Sequence, residues 1–143
     1  MKQLLRVIDA NFNRFKEGLR VVEDLERFVL KNNNLRKRAR NLRHSLDFLL
    51  KDNIIKEAIK YRDSEKDLGK DLDKLESFRK DYFDILYTNL QRSKEALRVL
   101  EELLKILKPK LVCKIKNIRY NVYLLERDIY TKQGFKNVNK DSN

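Results

Sequence analysis

Residues 11–25, NFNRFKEGLRVVEDL, recur 78 positions later as residues 89–103, NLQRSKEALRVLEEL. Nine of the fifteen aligned positions are identical, where unrelated segments of ordinary composition share roughly one. The chain is therefore an internal duplication. Most of what recurs is polar: Asn11, Arg14, Lys16, Glu17, Arg20 and Glu23 return as Asn89, Arg92, Lys94, Glu95, Arg98 and Glu101. Packing alone demands apolar spacing, so a repeated charge pattern points to a site that the two copies build together.

Working outward, each copy is followed by a second amphipathic stretch. Residues 35–50, LRKRARNLRHSLDFLL, place Leu35, Ala39, Leu42, Leu46 and Leu49 at alternating steps of four and three, and residues 111–129 do the same with Leu111, Ile115, Ile118, Val122, Leu125 and Ile129. Asn41 and Arg43 align with Asn117 and Arg119 at an offset of 76. Each half thus reads as a helical hairpin, broken by Asn32–Asn34 in the first and by Lys108–Pro109 in the second. Neither hairpin buries its stripe alone. The expected fold is all-α, a four-helix bundle of two duplicated hairpins (about residues 4–50 and 80–130) with approximate two-fold symmetry and a short helix and loop between them. Residues 1–130 are expected to form one domain, and 131–143 a disordered polar tail.

Composition agrees. With 143 residues, three glycines and one proline, the chain suits a single helical core and lacks the turn residues of an all-β protein. No apolar run approaches the roughly 20 residues of a membrane span, and Met1–Ile8 is too short and charged for a signal peptide, so a cytoplasmic protein without membrane association is expected. The single Cys113 excludes an internal disulfide and reads as a small core residue. A net charge of +12 calls for an anionic partner or for surface ion pairs.

On the first motif helix Ile8, Phe12, Phe15, Leu19 and Val22 share one face. Asn11, Arg14, Glu17, Arg20 and Glu23 step by three and spiral round the back from one edge of that stripe to the other, close enough for a ladder of ion pairs. While these identities survive, Phe15 becomes Ser93 and Gly18 becomes Ala96. A small residue in mid-helix lets a backbone or ligand approach closely. Between the hairpins, Asn53 is expected to cap a helix through Tyr61. The loop that follows, YRDSEKDLGKDL (residues 61–72), gathers Arg62, Asp63, Asp67, Gly69 and Asp71, suited to gripping a phosphate with Arg62 and a divalent cation with Asp63 and Asp67. No phosphate-binding glycine loop, thiol metal site or paired-histidine site is available, His44 being the only histidine. His44 reads as a structural group that could also bond a ligand.

The runs RVIDANFNRFKEGLRVVEDLERF, NLRHSL, YRDSEKDLG, NLQRSKEALRVLEELLK and IRYNVYLLE, in that order from Arg6 to about Glu126, resemble the small helical domain found alone or fused ahead of thiamine-phosphate synthase. That family is regarded as an alternative monofunctional hydroxymethylpyrimidine phosphate kinase of thiamine biosynthesis. The resemblance implies a free-standing cytoplasmic kinase that moves the γ-phosphoryl group of ATP onto a pyrimidine phosphate with Mg²⁺, a reaction that needs convergent arginines and metal-binding carboxylates. Carried onto this chain, Arg20, Arg98, Arg62 and Asp63 are the expected catalytic groups. Asn11, Arg14, Asn89, Arg92, Arg43 and His44 are expected to bind substrate and ATP, and Glu17, Glu23, Glu95, Glu101 and Asp67 the metal. A non-catalytic binding or regulatory partner of thiamine-phosphate synthase is the alternative. A basic nucleic-acid-binding module is a further one, disfavoured because Arg alternates with Glu on the motif helices, as is a helical enzyme handling small carboxylates like chorismate mutases. Exposed motif faces favour a homodimer.

Overall fold

In the computed structural model, which describes residues 1–71 and 77–134, the chain is all-α. Helix α1 spans Lys2–Phe28, α2 Asn33–Ser45, α3 Phe48–Lys51, α4 Asn53–Lys60, α5 Tyr82–Leu107 and α6 Val112–Ile129. The two long motif helices α1 and α5 pack against each other, α2 lies on α1 and α6 on α5 to close the four-helix bundle, and α4 lies against α1. Among the described residues no helix is long and apolar enough to cross a membrane.

Local chemistry accounts for each boundary. Lys31 takes φ 52°, the left-handed conformation that reverses a chain after a helix. Asn32 then caps α2, its side-chain oxygen accepting from Leu35 N at 3.0 Å. Asp81 caps α5 in the same way, accepting from Asp84 N at 2.8 Å. Lys108 ends α5, and Pro109 opens the single 3₁₀ turn Pro109–Leu111 that leads into α6.

The stripes read from the sequence form the core. Ile8, Phe12, Phe15, Leu19 and Val22 are buried with Leu35, Ala39, Leu46 and Leu49, and with Ile115, Ile118, Val122, Leu125 and Ile129. Leu42 and Leu111 pack against that core while remaining partly exposed.

Four expectations need correction. The second stretch is not one helix, because α2 stops at Ser45. Ser45 Oγ donates to the Leu42 carbonyl, and tight backbone bonds from Asp47 N to His44 O and Leu49 N to Leu46 O, both 3.0 Å, turn the chain toward α4. Asp52, not Asn53, caps α4: its carboxylate accepts from Ile54 N at 3.1 Å. Cys113 is exposed, since it stands two residues, about 200°, from the buried Ile115. Finally, Tyr130–Gly134, where the tail was expected to begin, continue α6 as a π-helical turn; residues 135–143 lie outside the described residues.

The duplication is visible as symmetry. Phe15 and Ser93 occupy the same place in the two copies, and they meet: Ser93 Oγ donates to the Phe15 carbonyl at 3.1 Å. Equivalent residues touch only near a two-fold axis, and two phenylalanines could not share that place. One turn along, a β-carbon on Gly18 would stand 2.8 Å from the Asn89 carbonyl oxygen and against Ser93 Oγ. Gly18 is therefore a point where the two motif backbones approach closely.

Candidate functional site: two arginine-lined clefts

The repeated charges first build the bundle. Glu23, 4% exposed, accepts from Arg43 Nε at 2.9 Å, and Arg20 stands 3.7 Å away. In the second half Glu101, 2% exposed, accepts from Arg119 Nε at 2.7 Å, with Arg98 at 3.8 Å. Arg20 and Arg98 reach on to Asp24 and Glu102 at 3.5 and 3.3 Å. Glu23 and Glu101 are thus each desolvated and neutralised by the arginine that recurs on the second helix of the same hairpin. Burial works against the Arg119 charge, but hydrogen bonds to Glu101 and Tyr123 outweigh it and raise its pKa. Asn11 and Asn89 spend their amides in parallel, donating at 2.9 Å to Val7 O and Ile85 O. Lys16 and Lys94 bridge to Asp47 and Glu126 at 2.5 and 2.7 Å.

Two open clefts flank these pairs. One, about 840 Å³, lies between α1 and α2 and carries Arg20, Arg27, Lys31, Arg36, Arg40 and Arg43, with Glu23, Glu26, Asn33 and His44. His44 shares a hydrogen bond between Nδ1 and Asp47 at 2.9 Å. Burial raises the Asp47 pKa, yet bonding to Lys16 and His44 outweighs it and holds the carboxyl below its usual value.

The second cleft, about 640 Å³, lies between α1 and the loop after α4 and is reached by Arg92 of α5. Its floor is Asp9, 5% exposed, which accepts two bonds from the Arg62 guanidinium, both 2.6 Å. That bidentate pair raises the Arg62 pKa and pins the loop to α1. Asn11, Arg14, Glu17, Asp63 and Asp67 line the same space.

The expected site residues are therefore divided. Arg20, Glu23, Arg43 and His44 belong to the first cleft, and Asn11, Arg14, Glu17, Arg92, Arg62, Asp63 and Asp67 to the second. Asn89, Glu95, Arg98 and Glu101 line neither. The expected catalytic set Arg20, Arg98, Arg62 and Asp63 does not converge. Nor do the five expected metal ligands: Glu23 and Glu101 are bonded to arginines, while Asp67 accepts from Gly69 N at 2.9 Å and shapes the loop. Asp63 does likewise, accepting from Lys66 N at 3.3 Å. Among the described residues no three His, Cys, Asp or Glu side chains gather to hold a metal ion.

Sequence reasoning passed over Asp9 and Glu26. Glu26 stands four residues after Val22, on the apolar stripe, and is fully buried; that spacing was the available signal. Its Oε2 accepts from Gln133 at 3.0 Å, while Oε1 is buried without a hydrogen-bond partner. Burial pushes the Glu26 pKa above its ordinary value near 4.5, against the smaller lowering by Gln133. The native carboxyl thus holds its proton where the unfolded one loses it. Below the unfolded pKa Glu26 costs nothing; from there the penalty grows as pH rises toward the folded pKa. Glu26→Gln should therefore be more stable than the parent near neutrality, and the difference should shrink toward zero at about pH 4. Urea unfolding across that range measures it, and a difference independent of pH would contradict the assignment.

The chain matches the ThiD2 family model over residues 6–128. It is 40% identical over 124 residues to a thiamine-phosphate synthase of Synechocystis, covering 86% of this chain and 35% of that protein. To those of Nostoc punctiforme and Rhodopirellula baltica it is 36% and 32% identical, covering 90% and 93% of this chain and 36% of each relative. The chain thus spans about a third of the length of these curated relatives. No solved structure matches. These relatives carry the name of the synthase and none carries that of a kinase, which overturns the expected conversion of hydroxymethylpyrimidine phosphate by ATP in favour of association with thiamine-phosphate synthase. Matched across nearly all of its helical core, the chain belongs to the ThiD2 family.

Proposed function

We propose that this chain serves thiamine biosynthesis as a non-catalytic binding and regulatory partner of thiamine-phosphate synthase. One observation carries the reading: of the polar residues common to both copies, the asparagines, the lysines and the second glutamate of each are engaged within the bundle. Glu23 is spent on Arg43, Glu101 on Arg119, and the Asn11 and Asn89 amides on their own helices. Group transfer between two phosphates needs carboxylates free to hold a metal among the arginines, and here the arginines have already claimed Glu23 and Glu101. The cleft between α1 and α2, with six cations against Glu23 and Glu26, is cationic and suited to binding. Homology to a segment that makes up about a third of several thiamine-phosphate synthases supports this choice of partner.

The test uses the full chain and a separate thiamine-phosphate synthase lacking such a segment. Titration calorimetry should give a micromolar complex, and saturating chain should change the synthase kcat/KM by ~3-fold or more. No heat and no kinetic change at ~100 µM chain would overturn the partnership. Consumption of ATP by the chain alone would overturn its non-catalytic character.

A further inference from the structure

We infer that Glu26 and Gln133 close as a carboxylic acid–amide pair in which one proton serves two buried oxygens, and that this pair is a proton-dependent latch holding the turn Tyr130–Gly134 against α1. The inference is independent of any association with a synthase, and Gln133 lies beyond residues 6–128 that the family model matches.

Position brings the two side chains together. Glu26 stands four residues after the buried Val22 and Gln133 four after the buried Ile129, so each extends an apolar stripe by one step with a polar group. Packing alone does not ask for an acid there: the residue equivalent to Glu26, 78 positions on, is Leu104, buried in the core. The two groups meet across 107 positions of chain, Gln133 Nε2 donating to Glu26 Oε2 at 3.0 Å. That bond leaves a mismatch. Glu26 Oε1 and Gln133 Oε1 are both buried without a hydrogen-bond partner, and no other buried side-chain nitrogen or oxygen among the described residues is left so.

One proton removes the mismatch. A carboxylic acid and a primary amide each offer a donor beside an acceptor, so a proton on Glu26 Oε1, given to Gln133 Oε1, completes a second bond parallel to the first. Ionised, the same carboxylate leaves two buried acceptors unsatisfied, which is costly. The charged neighbours do not reverse this. Arg27 on α1, Lys31 in the turn, and Arg36 and Arg40 on α2 line the cleft beside Glu26, yet none forms an ion pair with it among the described residues. Glu23 is neutralised by Arg43 with Arg20 alongside, His44 is bonded to Asp47, and on α6 Asp128 is held by Arg38. Burial dominates and holds the Glu26 carboxyl above its ordinary value near 4.5. Closure is therefore complete below the ordinary pKa and weakens as pH rises through the raised native one, by about tenfold per unit beyond it. The turn depends on that closure. Tyr130–Gly134 winds as a π-helix, a rare form, with Thr131 and Lys132 exposed, and Gln133 supplies its side-chain bond to α1.

Amide hydrogen exchange of the full chain, read by mass spectrometry between about pH 4 and pH 8, tests this. Glu26→Gln is the reference, because its amide has the shape of the protonated acid and makes both bonds at every pH; comparing the two proteins at each pH cancels the pH dependence of exchange itself. Peptides covering Tyr130–Gly134 should exchange alike in both at about pH 4, and ~10-fold or more faster in the parent at about pH 8. Peptides from the contact of α1 with α5, residues 89–97, should exchange alike in both throughout. Gln133→Ala, checked as folded by circular dichroism, should show the fast exchange of the turn already at about pH 4, since no partner remains for the proton. Equal protection of the turn in parent and Glu26→Gln at every pH would overturn the inference, as would full protection in Gln133→Ala. So would a loss of protection shared by residues 89–97, which would show the proton acting on the whole fold rather than on a latch.

Discussion

Arg119→Ala should destabilise the bundle by about 3 kcal/mol or more, because it leaves the Glu101 carboxylate buried with its main partner gone. Glu101 is 2% exposed and receives two bonds from Arg119, Nε at 2.7 Å and Nη2 at 3.4 Å. Arg98, at 3.8 Å, offers little replacement. Arg43→Ala should behave alike through Glu23. Arg20→Ala and Arg98→Ala should each cost well under about 1 kcal/mol, since their side chains are 53% and 58% exposed and their pairs are screened. The contrast separates the buried pairs from the solvated ladder. Urea unfolding of the four variants reads it directly, and equal small losses throughout would show that the buried glutamates find other partners. Replacing Glu101 and Arg119 together by Leu and Met should recover most of the loss, as expected when a buried pair is exchanged for apolar groups of similar volume.

Gly18→Val should be comparably damaging, about 3 kcal/mol, for a steric reason. A β-carbon at position 18 meets the Asn89 carbonyl at 2.8 Å, and backbone cannot rotate away as the end of a side chain could. Two further methyl groups would force α1 and α5 apart along their central contact and loosen the Ser93–Phe15 bond beside it. Gly18→Ala should be milder, because alanine's better helix propensity returns about 1 kcal/mol. For a chain of this size about 3 kcal/mol corresponds to a fall in melting temperature of roughly 10 °C. A valine variant melting within about 2 °C of the parent would mean that the helices separate there without cost.

The sequence by itself determined the architecture. The four-and-three spacing of Leu35, Ala39, Leu46 and Leu49 and of Ile115, Ile118, Val122 and Leu125 is a local property of a helix, so burial follows from position. The recurrence of residues 11–25 at 89–103 fixed the pairing of hairpins. Even two misreadings were avoidable at that level: Cys113 is on the wrong side of α6 from Ile115 and Ile118, and Asp52 is as good a cap as Asn53.

Only the tertiary structure decided what the charges do. Glu23 and Arg43 are 20 residues apart and Asp9 and Arg62 53, and whether such groups meet depends on the rotation of each helix about its axis and on the course of a loop. A polar pattern specifies which edge of a stripe a residue occupies and leaves open which helix covers that edge. The repeated charges accordingly read as one shared site, whereas packing α2 onto α1 and α6 onto α5 closed Glu23 and Glu101 inside ion pairs and left the cleft around Glu26. The contact between α1 and α5 likewise gave Gly18 and Ser93 their reason, because only the approach of two backbones makes a missing side chain necessary.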